Sequence, residues 1–269
     1  MKIRNWTYAS GLWHALQARK IKTVGVMKSH GILCTENDRR IRSYKDSHCG
    51  QRCFLIGNGG SLNERDLDKI VEESSFACNL IYKIFPRTIW RPSFYCISDP
   101  EMILSYSQEI TDHIHSPIFT NHLQMENWRG SPHDLMILNA LVHGDYKVSR
   151  DMSGYYMPSK ATIMTMMMEL AMYMGFQTIY LLGVDGTNSF SKNAHFTEQY
   201  FTGEYIQKRI KGSEFDKTNI GNYYVSLAES AYRQIQAYAY EKNIAIINVS
   251  RIRGLCVFPY QNFDEIPGL

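Results

Sequence analysis

Residues 52–61 read RCFLIGNGGS, and this stretch decides the fold class. Its apolar run from Cys53 to Ile56 leads directly into a glycine-rich turn that ends at Ser61, and a polar, helix-like stretch follows from Asn63 to Ser74. A short apolar run bounded by glycines is typical of a buried strand. The stretch therefore predicts a strand, a glycine turn and a helix, in that order.

The same alternation continues along the chain. We predict further strands over residues 76–79, 93–98, 116–119, 134–138, 178–184 and 244–248. We predict helices over 159–174, which is stopped by Gly175, and over about 225–242. Strands that alternate with helices predict a Rossmann-like α/β fold, with an open, mostly parallel sheet and helices on both faces. The five methionines between residues 164 and 172 then fill the core and are not ligands.

Charge divides the chain into two unequal parts. Residues 1–52 contain 11 Lys+Arg and 3 Asp+Glu, a net charge of +8, and the remaining 18 minus 23 give −5. We therefore predict a basic N-terminal arm over residues 1–50 and an α/β catalytic domain over 51–269, with a lid at about 186–221. The arm contains Trp6, Trp13 and Leu16 among basic residues, so we expect either peripheral membrane contact or a solvated, partner-facing helix.

Composition excludes several classes of protein. The 269 residues, 44% of them hydrophobic, can bury a full core, and the net charge of only +3 gives no reason to expect nucleic-acid binding. No apolar run could span a bilayer and no signal peptide is evident, so we expect a cytoplasmic protein that can also rest at the inner face of the plasma membrane. The six cysteines include no C-x-x-C pair and are expected to be free thiols.

Ligands of such sheets bind beyond the carboxyl ends of the strands, which directs attention to the glycine turn and to Asn79, Asp99 and Asp185. Small residues at Gly57, Gly59 and Ser61 would let backbone N–H groups approach a phosphate or ribose. The turn lacks the P-loop and G-x-G-x-x-G patterns, so a plain tight turn remains an alternative. Turn capping is the alternative for Asn79 and Asp99.

Other polar groups could take part in chemistry. His195 lies in the predicted lid, where it could shuttle a proton or simply be exposed. Tyr155, Tyr156 and Lys160 precede the methionine-rich helix and could donate hydrogen bonds to a leaving phosphate, although Ser159 nearby could merely cap that helix. Asp66 and Asp68 form a D-x-D, which we interpret as a solvated helix face and not as a metal site.

Taken together, these motifs resemble a superfamily that comprises the bacterial sialyltransferases typified by Campylobacter lipooligosaccharide enzymes and the domain named after archaeal 6-hydroxymethylpterin pyrophosphokinase. The resemblance is carried by RCFLIGNGGSL at 52–62, Asn79, YCISDP at 95–100 and GFQTIYLLGVD at 175–185. It covers about residues 50–260. The ordered set is fairly specific for the superfamily, whereas no single motif selects an activity.

The resemblance implies roles for individual residues. In the sialyltransferases the equivalents of Asn58 and Asn79 bind the CMP part of the donor, and Asp99 stands where they have asparagine. Gly183-Val184-Asp185 matches their Gly-Ile-Asp, so Gly183 and Asp185 are expected in the donor-nucleotide site. Gly60 replaces the usual proline, and Lys160 stands where the sialyltransferases have arginine.

The resemblance also implies a catalytic histidine after the Gly-Ile-Asp strand, and His195 is the last histidine of the chain. The implied activity is a metal-independent glycosyltransferase that moves a CMP-activated acidic sugar, such as sialic acid or a related nonulosonate, to a glycan or lipid-linked acceptor. It needs no cofactor and no metal, and it allows a homo-oligomer. The alternatives are a Mg²⁺- and ATP-dependent hydroxymethylpterin pyrophosphokinase-like enzyme and a non-catalytic nucleotide-sugar-binding protein.

Overall fold

A computed structural model describes residues 3–32, 34–142, 145–187, 193–201 and 217–269. It contains one seven-stranded sheet in which every strand pairs in parallel with its neighbours. The strands are β1 (Arg52–Ile56), β2 (Ser75–Cys78), β3 (Phe94–Cys96), β4 (Ile118–Asn121), β5 (Leu135–Leu138), β6 (Thr178–Leu182) and β7 (Ala245–Asn248). The predicted α/β class with a parallel sheet is confirmed.

The α-helices begin with two that precede the sheet and continue with four that connect its strands. They are α1 (Ile3–Ser29), α2 (Glu36–Ser43), α3 (Glu64–Asp68), α4 (Pro100–His113), α5 (Met164–Tyr173) and α6 (Lys217–Glu241). Within the described ranges, three 3-10 helices cover Asn79–Arg87, His122–Asn127 and Phe263–Glu265. No helix of the described ranges is long and apolar enough to cross a membrane.

The strand order β5-β4-β3-β2-β1-β6-β7 positions the functional site. The chain builds the sheet outward from β1 to β5, then returns across it and continues from β6 on the other side of β1. The crossovers next to β1 therefore leave in opposite directions, which opens a crevice at the carboxyl ends of β1 and β6.

Both faces of the sheet are buried. Side chains of β1 alternate between two hydrophobic clusters, with Cys53 and Leu55 in one and Phe54 and Ile56 in the other. The first cluster also holds the methionines of α5, so their predicted role in the core is confirmed. All six cysteines are free, as predicted.

Several predicted boundaries were wrong. The helix predicted over 63–74 is only α3, which Asn63 caps and which ends at Asp68. The helix predicted from Ser159 begins at Met164, so Ser159 is not its cap: its hydroxyl accepts from Ala161 N instead. Helix α6 begins at Lys217 and so takes up the end of the predicted lid. The rest of that lid, residues 188–192 and 202–216, lies outside the described residues.

Residues of the predicted arm contact the body. Asn37 of α2 exchanges two hydrogen bonds with the backbone of Ile137 in β5, and Arg40 pairs with Asp134. Lys28 of α1 pairs with the buried Asp38 at 2.9 Å. Burial alone would raise the pKa of Asp38, but hydrogen bonds from Lys28 and Thr35 outweigh it and lower that pKa. These contacts attach α2 to the sheet edge, whereas the division of the chain at residue 50 stays a prediction.

Candidate functional site

A cavity of about 470 Å³ opens at the carboxyl ends of β1, β2, β3 and β6. This is the crevice that the strand order creates, and ligands of open α/β sheets bind at such a position. The cavity brings together most of the residues that the sequence singled out. Its lining includes Gly57, Asn58, Gly59, Asn79, Asp99, Lys160, Gly183, Asp185 and His195.

The glycine turn after β1 packs directly on the turn after β6. Gly57 N donates to Leu182 O and Gly59 N donates to Gly183 O, each at 2.8 Å. A Cβ added at Gly57 would lie 2.4 Å from Gly183 O, and one at Gly59 would lie 2.6 Å from the same oxygen. Glycine is thus required at both positions because two backbones meet without room for a side chain.

Asp185 fixes the geometry of this turn. Its side chain is buried, and its two oxygens accept from the backbone N–H of Ser61 at 2.8 Å and from the Ser61 hydroxyl. Burial raises the pKa of Asp185, and the Ser61 hydrogen bonds act in the opposite direction. Ser61 does not itself line the cavity. The pair joins the two turns on which a ligand would rest.

Asn58 and Asn79 place amide groups at the cavity from neighbouring strands. Asn58 Nδ2 donates to Cys78 O at 3.1 Å, which holds the side chain across the end of β2. Asn79 follows β2 with a φ of 52°, a left-handed conformation that asparagine tolerates better than most residues. The Oδ1 atoms of both residues are buried without a hydrogen-bond partner in the described part of the chain. A buried acceptor without a donor is costly, so these atoms suit a ligand that supplies N–H or O–H groups.

His195 is held against the glycine turn. It forms an isolated antiparallel bridge with Gly59, and Phe196 N donates to Asn58 O at 3.2 Å. The His195 ring stacks on Tyr200 with centroids 3.9 Å apart. Its Nδ1 lies 3.2 Å from Asn58 O, and because a carbonyl oxygen only accepts, Nδ1 carries the proton in the neutral ring. This tautomer puts the basic lone pair on Nε2.

Asp99 and Lys160 complete the predicted lining. Asp99 caps α4 through a 3.0 Å hydrogen bond from Met102 N to Oδ1, so the capping alternative describes its local role. Lys160 is exposed, in the non-helical segment that precedes α5. It is the one lysine or arginine in the described lining.

The structure does not bring Tyr155 or Tyr156 to the cavity. Tyr156 is fully buried beside β5, where its hydroxyl accepts from Asn121 Nδ2 at 3.1 Å and its backbone pairs with Ala140. Tyr155 packs toward α1, since a Cβ added at Gly25 would lie 2.7 Å from Tyr155 Cδ1. Neither residue is among those that line the cavity.

The D-x-D has structural partners. The interpretation of the D-x-D as a solvated helix face was wrong for Asp66, which is buried and binds Arg251 with both oxygens, at 2.6 and 2.9 Å. Asp68 accepts from Thr88 and Ile89. Among the residues that the structure describes, no group of three or more His, Cys, Asp or Glu could hold a metal ion.

Sequence reasoning missed the opposite side of the cavity. Helix α6 lines it with Tyr224, Glu229 and Tyr232, and Thr162 lies close to Tyr232, with their hydroxyl oxygens 3.3 Å apart. The amphipathic pattern of α6 predicts a helix that packs on the sheet. It does not show that the packed face also reaches the carboxyl ends of the strands.

Comparisons with known proteins show the fold. No family model matches the chain, and no curated protein matches it. Among solved structures, the chain is similar to the MAf glycosyltransferase from Magnetospirillum magneticum AMB-1, with a TM-score of 0.52 and 14% identity over 86% of this chain. This chain spans 38% of the length of that protein. At this identity the likeness concerns the fold.

Proposed function

We propose that this protein is a glycosyltransferase that moves a CMP-activated acidic sugar to a hydroxyl of a glycan or lipid-linked acceptor without a metal ion. The observation that carries the proposal is the pairing of His195 with Gly59, which joins a basic nitrogen to a turn suited to phosphate. The fold shared with a protein described as a glycosyltransferase supports transfer of a sugar in general.

The donor nucleotide would occupy the end of the cavity formed by β1 and β2. The amide oxygens of Asn58 and Asn79 accept hydrogen bonds, and a cytidine offers donors in its exocyclic amino group and its ribose hydroxyls. The glycine turn exposes backbone close to the same place, which suits the single phosphate of CMP.

In the proposed reaction, His195 Nε2 removes the proton from the acceptor hydroxyl as its oxygen attacks the anomeric carbon. The bond from that carbon to the phosphate oxygen of CMP breaks, the electron pair leaves with CMP, and the anomeric carbon inverts through an oxocarbenium-like state. Lys160, the one lysine or arginine in the described lining, stabilises the departing phosphate. The proposal gives Tyr155 and Tyr156 no part in this step, because both lie outside the cavity lining.

A thermal-shift series tests the nucleotide. The melting temperature is measured with CMP, CDP, UDP, GDP and ATP, each with and without Mg²⁺, because a ligand that binds the folded state raises it by mass action. The proposal expects the largest rise with CMP and the same rise without Mg²⁺. A rise that requires ATP with Mg²⁺ would replace the proposal with pyrophosphoryl transfer.

The base is tested by His195→Gln with CMP-sugar donors. Loss of a general base lowers kcat by about 10²- to 10⁴-fold, while the CMP-induced shift persists because nucleotide binding does not need the imidazole. Unchanged turnover in the variant would exclude His195 as the base. A CMP shift without any transfer or donor hydrolysis in the wild type would favour a nucleotide-sugar-binding protein.

A further inference from the structure

Helix α1 has two faces of different character over the residues whose side chains are described. Residues 17, 18, 21, 24, 25, 28 and 29 are buried or half-buried, whereas 15, 16, 19, 20, 22, 23, 26 and 27 are exposed. At 3.6 residues per turn the exposed set occupies one continuous arc of about 160°. One face of α1 therefore packs on the protein and the other is without cover in the described structure.

The packed face fixes the orientation of the helix. Gly25 packs directly on Gly154, because a Cβ added at Gly154 would lie 2.8 Å from the backbone oxygen of Gly25. Lys28 reaches the buried Asp38 at 2.9 Å. These contacts fix the rotation of α1 on the protein, so its exposed face points away from the body.

The exposed face combines apolar and basic side chains. Leu16, Val26 and Met27 are 58%, 53% and 38% exposed. Helical spacing places Arg19 among them, with Lys20 and Lys22 toward the two margins of the arc. Long basic side chains at the margins of an apolar stripe can extend their charges to headgroups while their stems stay with the apolar part.

The charge of this region has one sign. Residues 1–35 contain six lysines and arginines and no aspartate or glutamate, although the chain as a whole is nearly balanced. No acidic side chain of α1 would therefore repel an anionic surface. The apolar side chains between the charges favour a bilayer over a nucleic acid, because a nucleic acid offers them no hydrocarbon to enter.

We propose that the exposed face of α1 docks on an anionic lipid bilayer, with the helix lying in the interface and its apolar stripe at the level of the headgroups. A basic residue near an anionic surface contributes roughly a fivefold increase in partitioning, and several act together. The proposal does not depend on the activity at the cavity.

Vesicle flotation of the full chain tests it. The protein is floated with phosphatidylcholine vesicles, with and without phosphatidylglycerol, at low and high salt. We expect binding to the anionic vesicles alone, and a decrease at high salt. The triple variant Arg19→Glu, Lys20→Glu, Lys22→Glu should lose at least about a hundredfold in partition coefficient. The variant Leu16→Gln, Val26→Gln, Met27→Gln should also lose binding.

A matched control separates the helix from net charge. Lys147→Glu, Arg233→Glu, Lys242→Glu changes the net charge by the same amount at exposed positions outside α1. It should retain most of the binding, and all variants should keep the melting temperature and nucleotide response of the wild type.

Three results would overturn the proposal. The first is that the wild type does not float with anionic vesicles. The second is that the control variant and the α1 charge variant lose vesicle binding equally. The third is that the variant with glutamine at positions 16, 26 and 27 binds the vesicles as well as the wild type does. This third result, together with salt-sensitive binding to duplex DNA, would indicate that the exposed face of α1 binds a nucleic acid. Because nucleotide shifts are read on the same samples, a failure here is distinct from a failure of the proposed activity.

Discussion

The two walls of the cavity are built by different means. The inner wall, residues 57–59 and 183–185, consists of two turns whose backbones touch and leave no space for side chains at Gly57 and Gly59. The outer wall, residues 159–164 and the cavity-facing residues of α6, presents side chains such as Lys160 and Glu229. The inner wall can therefore set where a ligand lies, while the outer wall offers chemistry that substitution can change without disturbing the sheet.

The strongest test of this difference is Gly57→Ala. The new Cβ would lie 2.4 Å from Gly183 O, so β1 and β6 must separate locally. Clashes of this kind typically cost about 1–3 kcal/mol and occasionally more, and we expect the upper part of that range here because the neighbour is backbone. Denaturant unfolding measures the loss, together with a lost response to nucleotide.

Gly50→Ala is the matched control. Gly50 has a φ of 76° but nothing within 4 Å of an added Cβ, so its cost is conformational alone. We expect about 1–2 kcal/mol and an intact nucleotide response. Equal effects from the two substitutions would mean that the contact between the turns is not what distinguishes the inner wall.

The second test concerns the helix behind the outer wall. Glu169 of α5 is buried, and one oxygen accepts from Ser149 N at 2.8 Å and from the Tyr146 hydroxyl at 3.1 Å. Burial raises the pKa of Glu169 to about 8, although these hydrogen bonds lower it. Between the ordinary pKa of a glutamate and about pH 8, Glu169 therefore holds a proton in the folded protein that it has released in the unfolded chain.

The sign of the pH effect follows from that proton. Stability should fall as pH rises from about 5 to 8, by about 1.4 kcal/mol for each pH unit over which the folded state holds one proton more. Glu169→Gln should remove this slope, whatever constant offset the amide adds. Asp185, whose pKa is also raised, leaves a smaller slope of the same sign in the variant. Urea midpoints measured at several pH values would contradict the prediction if wild type and variant ran parallel.

A smaller effect is expected from Asn79, where side chain and backbone can be separated. Asn79→Gly keeps the left-handed φ of 52° and removes the amide, so stability should change little. Nucleotide affinity should fall about tenfold, the effect of one hydrogen bond of about 1.4 kcal/mol. Asn79→Ala should lose the same affinity and also stability. Calorimetric titration with CMP measures the affinity, and an unchanged value in both variants would remove Asn79 from the nucleotide site.

The difference between the two walls also separates the site residues that the sequence could predict from those that it could not. Strand ends such as Gly57, Asn79 and Asp185 were predictable because a glycine or polar residue after an apolar run marks where a buried strand stops. The pairing of His195 with Gly59 was not, since it joins residues far apart in sequence through a single bridge. Tyr155 and Tyr156 were assigned by proximity to Lys160 in sequence, yet Lys160 lines the cavity and neither tyrosine does.

No local sequence pattern predicts that Glu229 lines the cavity. Its substitution gives the smallest expected effect. Its carboxylate lines the outer wall from a half-buried position on α6, so Glu229→Gln should change stability by no more than about 0.5 kcal/mol. CMP affinity should stay within about twofold, because in the proposed arrangement the nucleotide contacts the inner wall and Lys160 but not α6. Calorimetric titration and a denaturant curve on the same preparation measure both quantities. A tenfold loss of CMP affinity would contradict the proposed arrangement, because a nucleotide that depends on Glu229 must also contact α6. An unchanged affinity with altered transfer to the acceptor would instead assign the outer wall to the acceptor.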